Sequence, residues 1–461
     1  MRKLWCALMP AALLVSGCQS ATQSEPEPSA PVDAGDAQTV ADAGQPDAAA
    51  PGPELTWHKD VRALVEERCA NCHQPGEIGP FELTDYESVY AFRHPVAASV
   101  ESGSMPPWQP AKGCNDYHGD YSLTDAERQT LLDWVDSGAP EGDPADYVAP
   151  ELPEVGLSRT DLTISMPVDY IPRQRPDDYR CFLIDWPEQE ERFVTGFAVD
   201  PGNAKMVHHV IAFLVEPRLV ERFRRRDAEE EGPGYTCFGG PGELGRGVNW
   251  LGSWAPGGRA TDLPAGTGIA IPPGSLVAMQ VHYNTLTDEP ESDRTQIRFR
   301  LDDAVEKPSM WLPWTNPFWV NNRLPMSIPA GQAGVRHTFM YDPTTAGLPF
   351  GEGRAFEIHR AGVHMHLLGK KIRLSVQRAD GSNTCVEDVQ DWDFNWQGSV
   401  DLVEPVRFDP GDQVRVDCEW DNTPERQPVV DGQRIEPRDV IWGEGTTDEM
   451  CLGLLYVSPV D

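Results

Sequence analysis

Gly362-Val363-His364-Met365-His366-Leu367-Leu368-Gly369 sets two histidines one residue apart in an apolar run. Val363 to Leu368 reads as a β-strand, and on a strand residues i and i+2 share a face. His364 and His366 then converge, as two ligands of one metal ion would. The β texture extends around this stretch. From about residue 155 onward, short apolar alternations are broken by Gly and Pro about every ten residues, which predicts all-β sandwiches. Strands are expected over Val207 to Val215, Ser275 to Tyr283, Thr295 to Leu301, Ile372 to Gln377 and Gln413 to Cys418. The Trp-, Pro- and Asn-rich stretch Trp311 to Asn322 reads as a connection between two such sandwiches.

Three more histidines stand on these strands. His282 lies in Gln280-Val281-His282-Tyr283-Asn284, and His208-His209 lies at the start of an earlier strand. Neighbours on a regular strand point to opposite faces, so His208 and His209 can share an ion only across a bulge or local twist. Met450 stands in Thr447-Asp448-Glu449-Met450-Cys451. Five histidines and one methionine divide into two three-ligand sets. Three imidazoles suit Cu(II) as well as Cu(I), whereas two imidazoles and a thioether favour Cu(I). A chain that carries both sets is suited to moving single electrons and handling O2.

The N-terminal part has a different texture. Arg2 and Lys3 precede a short apolar run that ends in Leu14-Val15-Ser16-Gly17-Cys18. The run is too short to span a bilayer and has the flanks of an export signal. Its ending resembles a bacterial lipoprotein box, which implies a signal at 1–18 and lipid on Cys18. Gln19 rather than Asp follows, which in that class implies the outer membrane of the cell envelope. Residues 19–53 carry almost no large apolar side chain and read as a disordered tether. Over 54–148, apolar spacing predicts helices before Cys69 and from Ala126 to Val135, the second capped by Ser122 or Thr124. Pro140 to Pro153 reads as a linker.

Cys69-Ala70-Asn71-Cys72-His73 is the attachment sequence of a c-type haem: two thiols for thioether links and a histidine for the iron. Met105, on the Pro-rich loop Ser102 to Trp108, is the expected sixth ligand, with His94 and His118 as competitors. The stretch resembles small cytochromes c.

Four motifs occur in the order seen in the copper type II, ascorbate-dependent monooxygenases: Lys205 to His209, Gln280 to Tyr283, Val363 to Lys370 and Thr447 to Cys451. The resemblance covers about 155–461. It implies two consecutive β-sandwiches, each holding one copper. Carried over by motif, His208, His209 and His282 would bind the electron-storing copper. His364, His366 and Met450 would bind the copper that meets O2. Gln280 matches a cleft-facing glutamine. The family's disulfides map onto Cys181–Cys237 and Cys418–Cys451, which leaves Cys114 and Cys385 either free or paired with each other. Departures are equally informative. In the peptide-hydroxylating members an Arg anchors the substrate carboxylate where this chain has Gly362, and Leu452 and Leu454 replace an Asn and a Tyr. A small anionic substrate is therefore not expected.

The predicted fold class is multidomain: a small all-α, cytochrome c-like haem domain at 54–148, then two all-β, jelly-roll-like sandwich domains at 155–310 and 322–461. A chain of 461 residues suits two or three cores. Its formal charge of −35 excludes nucleic acid as a partner, because a binder must neutralise phosphates. The expected function is O2-dependent hydroxylation of a neutral, largely apolar molecule with two coppers. The fused haem would relay electrons from an external donor, an ascorbate-like reductant or a redox protein. The competing expectation is a lipid-anchored electron-transfer or copper-handling protein that kept the ligands and lost the substrate site.

Overall fold

Gln413–Asp421 alternates cleanly: Val414, Val416, Cys418 and Trp420 are buried, and charged or polar residues stand between them. Such a strand lies on a core by one face. Leu276–Asn284 is buried on both faces for eight of its nine residues, as a central strand under a second layer must be. These two patterns recur through a computed structural model that describes residues 55–460, apart from 76–78, 153–155, 176, 243–246, 256–257, 259, 286–288 and 431–432. The signal at 1–18, Cys18 and the tether at 19–53 lie outside the described residues.

Four sheets of four to six strands carry the fold. The first core lies between two of them. One is five-stranded, with Leu276–Asn284 at its centre between Asp177–Asp185 and Val207–Val215. The other is six-stranded and built on Arg192–Asp200 and Gln296–Asp302. The second core lies between a sheet centred on Phe356–His364 and a four-stranded sheet in which Gly369–Gln377 separates Gln413–Asp421 from Asn383–Val389.

The expected fold class is corrected. Residues 55–460 form one compact unit, not an all-α domain followed by separate sandwich domains. The described residues are β-rich, and the segment 54–148, although it carries the helices Arg62–Arg68, Tyr86–Ser102 and Asp125–Asp136, also contributes a strand and is not all-α. Tyr117–His118 pairs antiparallel with Leu402 and Asp401 of the strand Ser399–Phe408, so this segment extends a sheet of the second core. Cys114 is bonded to Cys385, 271 residues away. A two-residue strand and a long-range disulfide leave no periodicity for a sequence reading to find. The expected connection at Trp311 to Asn322 is also different. Met310–Trp314 is a strand paired with Leu452–Pro459, and Trp311 packs into the first core beside Tyr456. The two cores therefore share a wall.

The helices of the N-terminal segment follow their local signals. Asp125–Asp136 starts at Thr124, whose hydroxyl accepts from the Glu127 amide while Glu127 reaches back to the Thr124 amide. Leu131, Trp134 and Val135 face Trp57, Val61 and Val65 in a small third core. Tyr86–Ser102 ends at Gly103, whose φ of 76° suits glycine.

Candidate metal centre

The first histidine set depends on one slip of register. Val207–Val215 and Leu276–Asn284 pair regularly from Leu276 opposite Val215 to His282 opposite His209. Tyr283 then pairs with Val207, which leaves His208 as an extra residue. This bulge turns His208 and His209 toward the same side. The ligand atoms of His208, His209 and His282 lie within 4.8 Å of one another. His282 Nδ1 and His209 Nδ1 are 3.3 Å apart. Two nitrogens bound at about 2.0 Å in a tetrahedral arrangement would stand at about that separation.

Burial also sets the chemistry of these rings. It pushes His208 down to about 4. His209 and His282 are driven well below the usual histidine range by burial and then by neighbouring imidazoles. Neutral imidazole is the ligating form. His282 Nε2–H donates to Asp177 Oδ1 at 2.9 Å, which leaves Nδ1 bare on the side of His209. His208 Nδ1 is buried without a hydrogen-bond partner. An unpaired buried nitrogen is costly unless something else satisfies it, so this set fits a metal. Tyr179 stacks on His282 at 3.9 Å and fixes its plane.

The second set differs from the strand reading. Phe356–His364 ends at His364, and His366 lies beyond it, where the chain turns. Met365 between them is fully buried in the second core. The rings of His364 and His366 converge at 5.0 Å because of that turn, not because of strand alternation. His364 Nδ1–H donates to Gln397 Oε1 at 2.6 Å, and His366 Nδ1–H to the Asp448 carbonyl at 3.2 Å. Both rings are thus left with Nε2 as the available ligand atom. Burial lowers His364 to about 4 and takes His366 well below its usual range. Met450 is 7% exposed and shares a cavity wall with both histidines.

Glu449 holds this second set together and had no role in the sequence reading. Its carboxyl accepts from the amides of His366 at 3.0 Å, Leu368 at 2.6 Å and Met450 at 3.3 Å, and from Trp420 Nε1 at 2.9 Å. Burial pushes the acid up to about 7 against the pull of those donors. One buried side chain thereby joins the His366 turn to Met450. Cys451, the next residue, is bonded to Cys418, and Cys181 is bonded to Cys237. Asp177 and Gln397 were missed as well. Neither stands in a motif, and only their positions in space connect them to histidines.

A cavity of about 870 Å³ opens onto both sets, with His209, His364, His366, Met450 and Gln280 in its wall. Gln280 donates to the Cys237 carbonyl at 2.6 Å. The ring of Phe394 stacks on His208 at 4.9 Å and stands 6.2 Å from His366, so one aromatic ring lies between the two sets. Leu452 and Leu454 line the cavity, and Leu454 pairs with Gly362 across the sheet. Arg360 also lines it but is engaged by Asp401 through two hydrogen bonds.

The haem motif lies apart from this centre. Cys69 and Cys72 follow the helix Arg62–Arg68, and neither enters a disulfide. Burial, then the neighbouring Cys72, pushes the Cys69 thiol up to about 12. His73 Nδ1–H donates to the Phe81 carbonyl at 2.9 Å, which leaves Nε2 as its available ligand atom. Gly79 packs so closely that an added Cβ would stand 2.5 Å from the Cys72 oxygen and 2.7 Å from His73 Nδ1. Met105 follows the helix Tyr86–Ser102, with its amide bonded to the Ser99 carbonyl. His94 lies within that helix, and His118 lines the cavity beside the two histidine sets.

Family models describe two stretches of the chain. Residues 162–290 match the N-terminal domain of the copper type II ascorbate-dependent monooxygenases, and residues 325–459 match their C-terminal domain. The chain is 26% identical over 271 residues to tyramine beta-hydroxylase of Caenorhabditis briggsae, covering 57% of this chain and 41% of that protein. It is 24% identical over 302 residues to DBH-like monooxygenase protein 1 of Homo sapiens, covering 61% and 44%. The chain thus spans less than half the length of these curated relatives. Among solved structures, a peptide-N(4)-(N-acetyl-beta-D-glucosaminyl) asparagine amidase is similar at a TM-score of 0.27 and 8% identity, over 65% of this chain and 96% of that one. That likeness is too slight to bear on fold or function.

Proposed function

The chain belongs to the copper type II ascorbate-dependent monooxygenases, and we propose that it uses O2 to hydroxylate a neutral, largely apolar molecule. His208, His209 and His282 hold an electron-storing copper, and His364, His366 and Met450 hold the copper that O2 meets. Bound in these sites, copper supplies single electrons and a place for O2 to react. The copper-binding halves are assigned to 155–310 and 322–461. The observation that carries this reading is the pair of imidazole sets, each with bare ligand nitrogens, around one cavity.

The chain's own residues do the positioning. Asp177 and Gln397 fix the tautomers of His282 and His364. Glu449 ties the His366 turn to Met450. Leu452 and Leu454 make the cavity wall apolar where a carboxylate anchor would otherwise stand. Arg360 cannot serve instead while it is neutralised by Asp401. Apolar contact stabilises a bound ligand by about 25 cal/mol per Å² buried, whereas an unpaired buried charge costs several kcal/mol.

We further propose one c-type haem on Cys69 and Cys72, with His73 as an iron ligand and Met105 as the sixth. The bare Nε2 of His73 and the tight glycine beside it support this attachment. A haem here would pass electrons singly from an ascorbate-like reductant or a redox protein. Cys18 would carry lipid and hold the protein to the cell envelope, at the outer membrane.

The decisive experiment reduces the purified protein without O2 and then mixes it with O2. Candidate neutral, hydrophobic compounds are added in turn. Substrate-dependent O2 uptake with one oxygen atom in the product is expected, and glycine-extended peptides should give none. Haem and copper spectra would show electrons leaving both centres. Absence of stimulated uptake by every compound, with both centres still reoxidised, would favour an electron-transfer protein instead.

A further inference from the structure

The strand Asn383–Val389 also carries a bulge. Cys385 pairs with Ser375 and Glu387 with Leu374, which leaves Val386 as an extra residue. Bulges re-aim the side chains beside them. Paired residues share a face, and Leu374 is fully buried in the second core, so Glu387 faces inward. Its side chain is 3% exposed, it lines the copper-side cavity, and its Oε2 has no hydrogen-bond partner.

The chain around Glu387 is clamped by the N-terminal segment. The Ala111 amide donates to the Asp388 carbonyl at 2.7 Å, and the Tyr117 hydroxyl to the Val386 carbonyl at 3.0 Å. Asn115 Nδ2 donates to the Cys385 carbonyl at 3.4 Å, and Cys114 is bonded to Cys385 itself. The same strap puts Trp108 and Tyr121 into the cavity wall, edge to face at 4.9 Å. None of residues 107–121 lies within the stretches that match the family. The strap thus adds to the cavity wall from outside the stretches that match the family.

The other polar side chains of the wall are largely engaged: Arg360 with Asp401, Gln280 with the Cys237 carbonyl, and Gln397 with His364. Glu444 also has an unpartnered Oε2, but it is less buried and lies against Gly239 of the first half.

We propose that Glu387 and the strap 107–121 form a subsite for a neutral, oxygen-bearing part of the substrate. The Glu387 carboxyl donates a hydrogen bond to a carbonyl, hydroxyl or ether oxygen, and Trp108 and Tyr121 cover the apolar remainder. Burial with no cation beside it pushes the acid up to about 8, so the group that meets the ligand at neutral pH is the uncharged donor. The inference rests on the reading above only in taking this cavity as the substrate site.

The test is anaerobic equilibrium dialysis of the full-length protein at pH 7 with three probes of one shape: 4-phenyl-2-butanone, butylbenzene and 4-phenyl-2-butylamine. Wild type should bind the ketone about tenfold more tightly than the hydrocarbon, the worth of one hydrogen bond. E387M should remove that advantage and leave butylbenzene binding unchanged. E387Q, whose amide still donates, should keep it within about threefold. Equal or absent binding of ketone and hydrocarbon by wild type would overturn the proposal, as would a ketone advantage that survives E387M. A preference for the amine that E387Q abolishes would overturn it too, because the site would then be a cation site. O2 consumption is not read, so failure of the monooxygenase reading and failure of this one are separable.

Discussion

Asp177→Asn separates a metal site from a cluster of buried histidines. Asp177 Oδ1 accepts from His282 Nε2 at 2.9 Å, which places the ring proton at Nε2 and leaves Nδ1 bare, 3.3 Å from His209 Nδ1. An asparagine has nearly the same shape but two ways to sit. With its carbonyl toward Nε2, the tautomer survives and only the charge on the acceptor is lost. With its amide toward Nε2, the ring proton moves to Nδ1, where it occupies the ligand position. Outer partners of this kind are worth about 10- to 100-fold in metal affinity, or about 1.4–2.7 kcal/mol. The upper end is expected, because His282 is fully buried and offers the proton no water as an alternative acceptor. The assay is anaerobic Cu(I) titration against a chromophoric chelator, resolving two equivalents per chain. One equivalent should weaken by that factor and the other should be unchanged, with thermal melting of the metal-free protein as the control for folding. Two unchanged equivalents would refute the role of Asp177, and equal weakening of both would refute the division into two independent sets.

His282→Ala should remove one copper and spare the other, whereas Met450→Ala should weaken Cu(I) selectively at the second set; metal analysis retaining two coppers in both variants would defeat the ligand assignment. Acid–acetone extraction should leave haem colour on the protein, since thioether links through Cys69 and Cys72 do not dissolve. Met105→His should keep a six-coordinate iron but lower its potential, and an unchanged potential with an unchanged sulfur-to-iron band would point to His94 or His118. Glu387 gives a pH signature in the metal-free protein. Burial raises its acid from 4.5 to about 8, so its contribution is fully present below about pH 4.5 and is lost as pH rises toward 8. Denaturant melts should show the wild type losing up to roughly 4 kcal/mol more than E387Q over that window; parallel curves would mean the carboxyl is not buried in neutral form.

Strand positions were legible where burial repeats with period two, as Gln413–Asp421 does openly, or where an apolar run is buried on both faces, as in Leu276–Asn284. The need for a bulge at His208-His209 also follows from strand geometry alone, and the register slip at His208 supplies it. The His364–His366 turn was not legible. Val363 to Leu368 is apolar enough to continue a strand, and what stops it is Glu449, which captures the His366 and Leu368 amides from 81 or more residues away. Asp177, Gln397 and Phe394 were invisible for the same reason: their roles exist only once distant strands are adjacent. The strap 107–121 was hidden by its shortness. The Cys114–Cys385 pairing, one of the two options left open by the sequence, is the one the structure shows, but no spacing rule could decide for it.

That strap binds the N-terminal segment to the second core. The Cys114–Cys385 bond joins positions 271 residues apart, and a cross-link closing so long a loop removes on the order of 5–6 kcal/mol of freedom from the unfolded chain in the loop-entropy model. Gln109 adds a noncovalent tie, donating to the carbonyls of Asp393 at 2.9 Å and of Trp396. Phe394, which stacks on His208, lies between those two residues, and Gln397, which holds His364, directly follows Trp396. Movement of the strap would therefore be felt at both histidine sets through one short loop. The chain that carries Cys69, Cys72 and His73 continues through the helix Tyr86–Ser102 into a strap fastened to the second core at Gln109, Ala111, Cys114 and Tyr117. The Cys114–Cys385 bond ties the segment that carries Cys69, Cys72 and His73 to the second core; on the function proposed above, substrate fit and electron supply would then depend on one element.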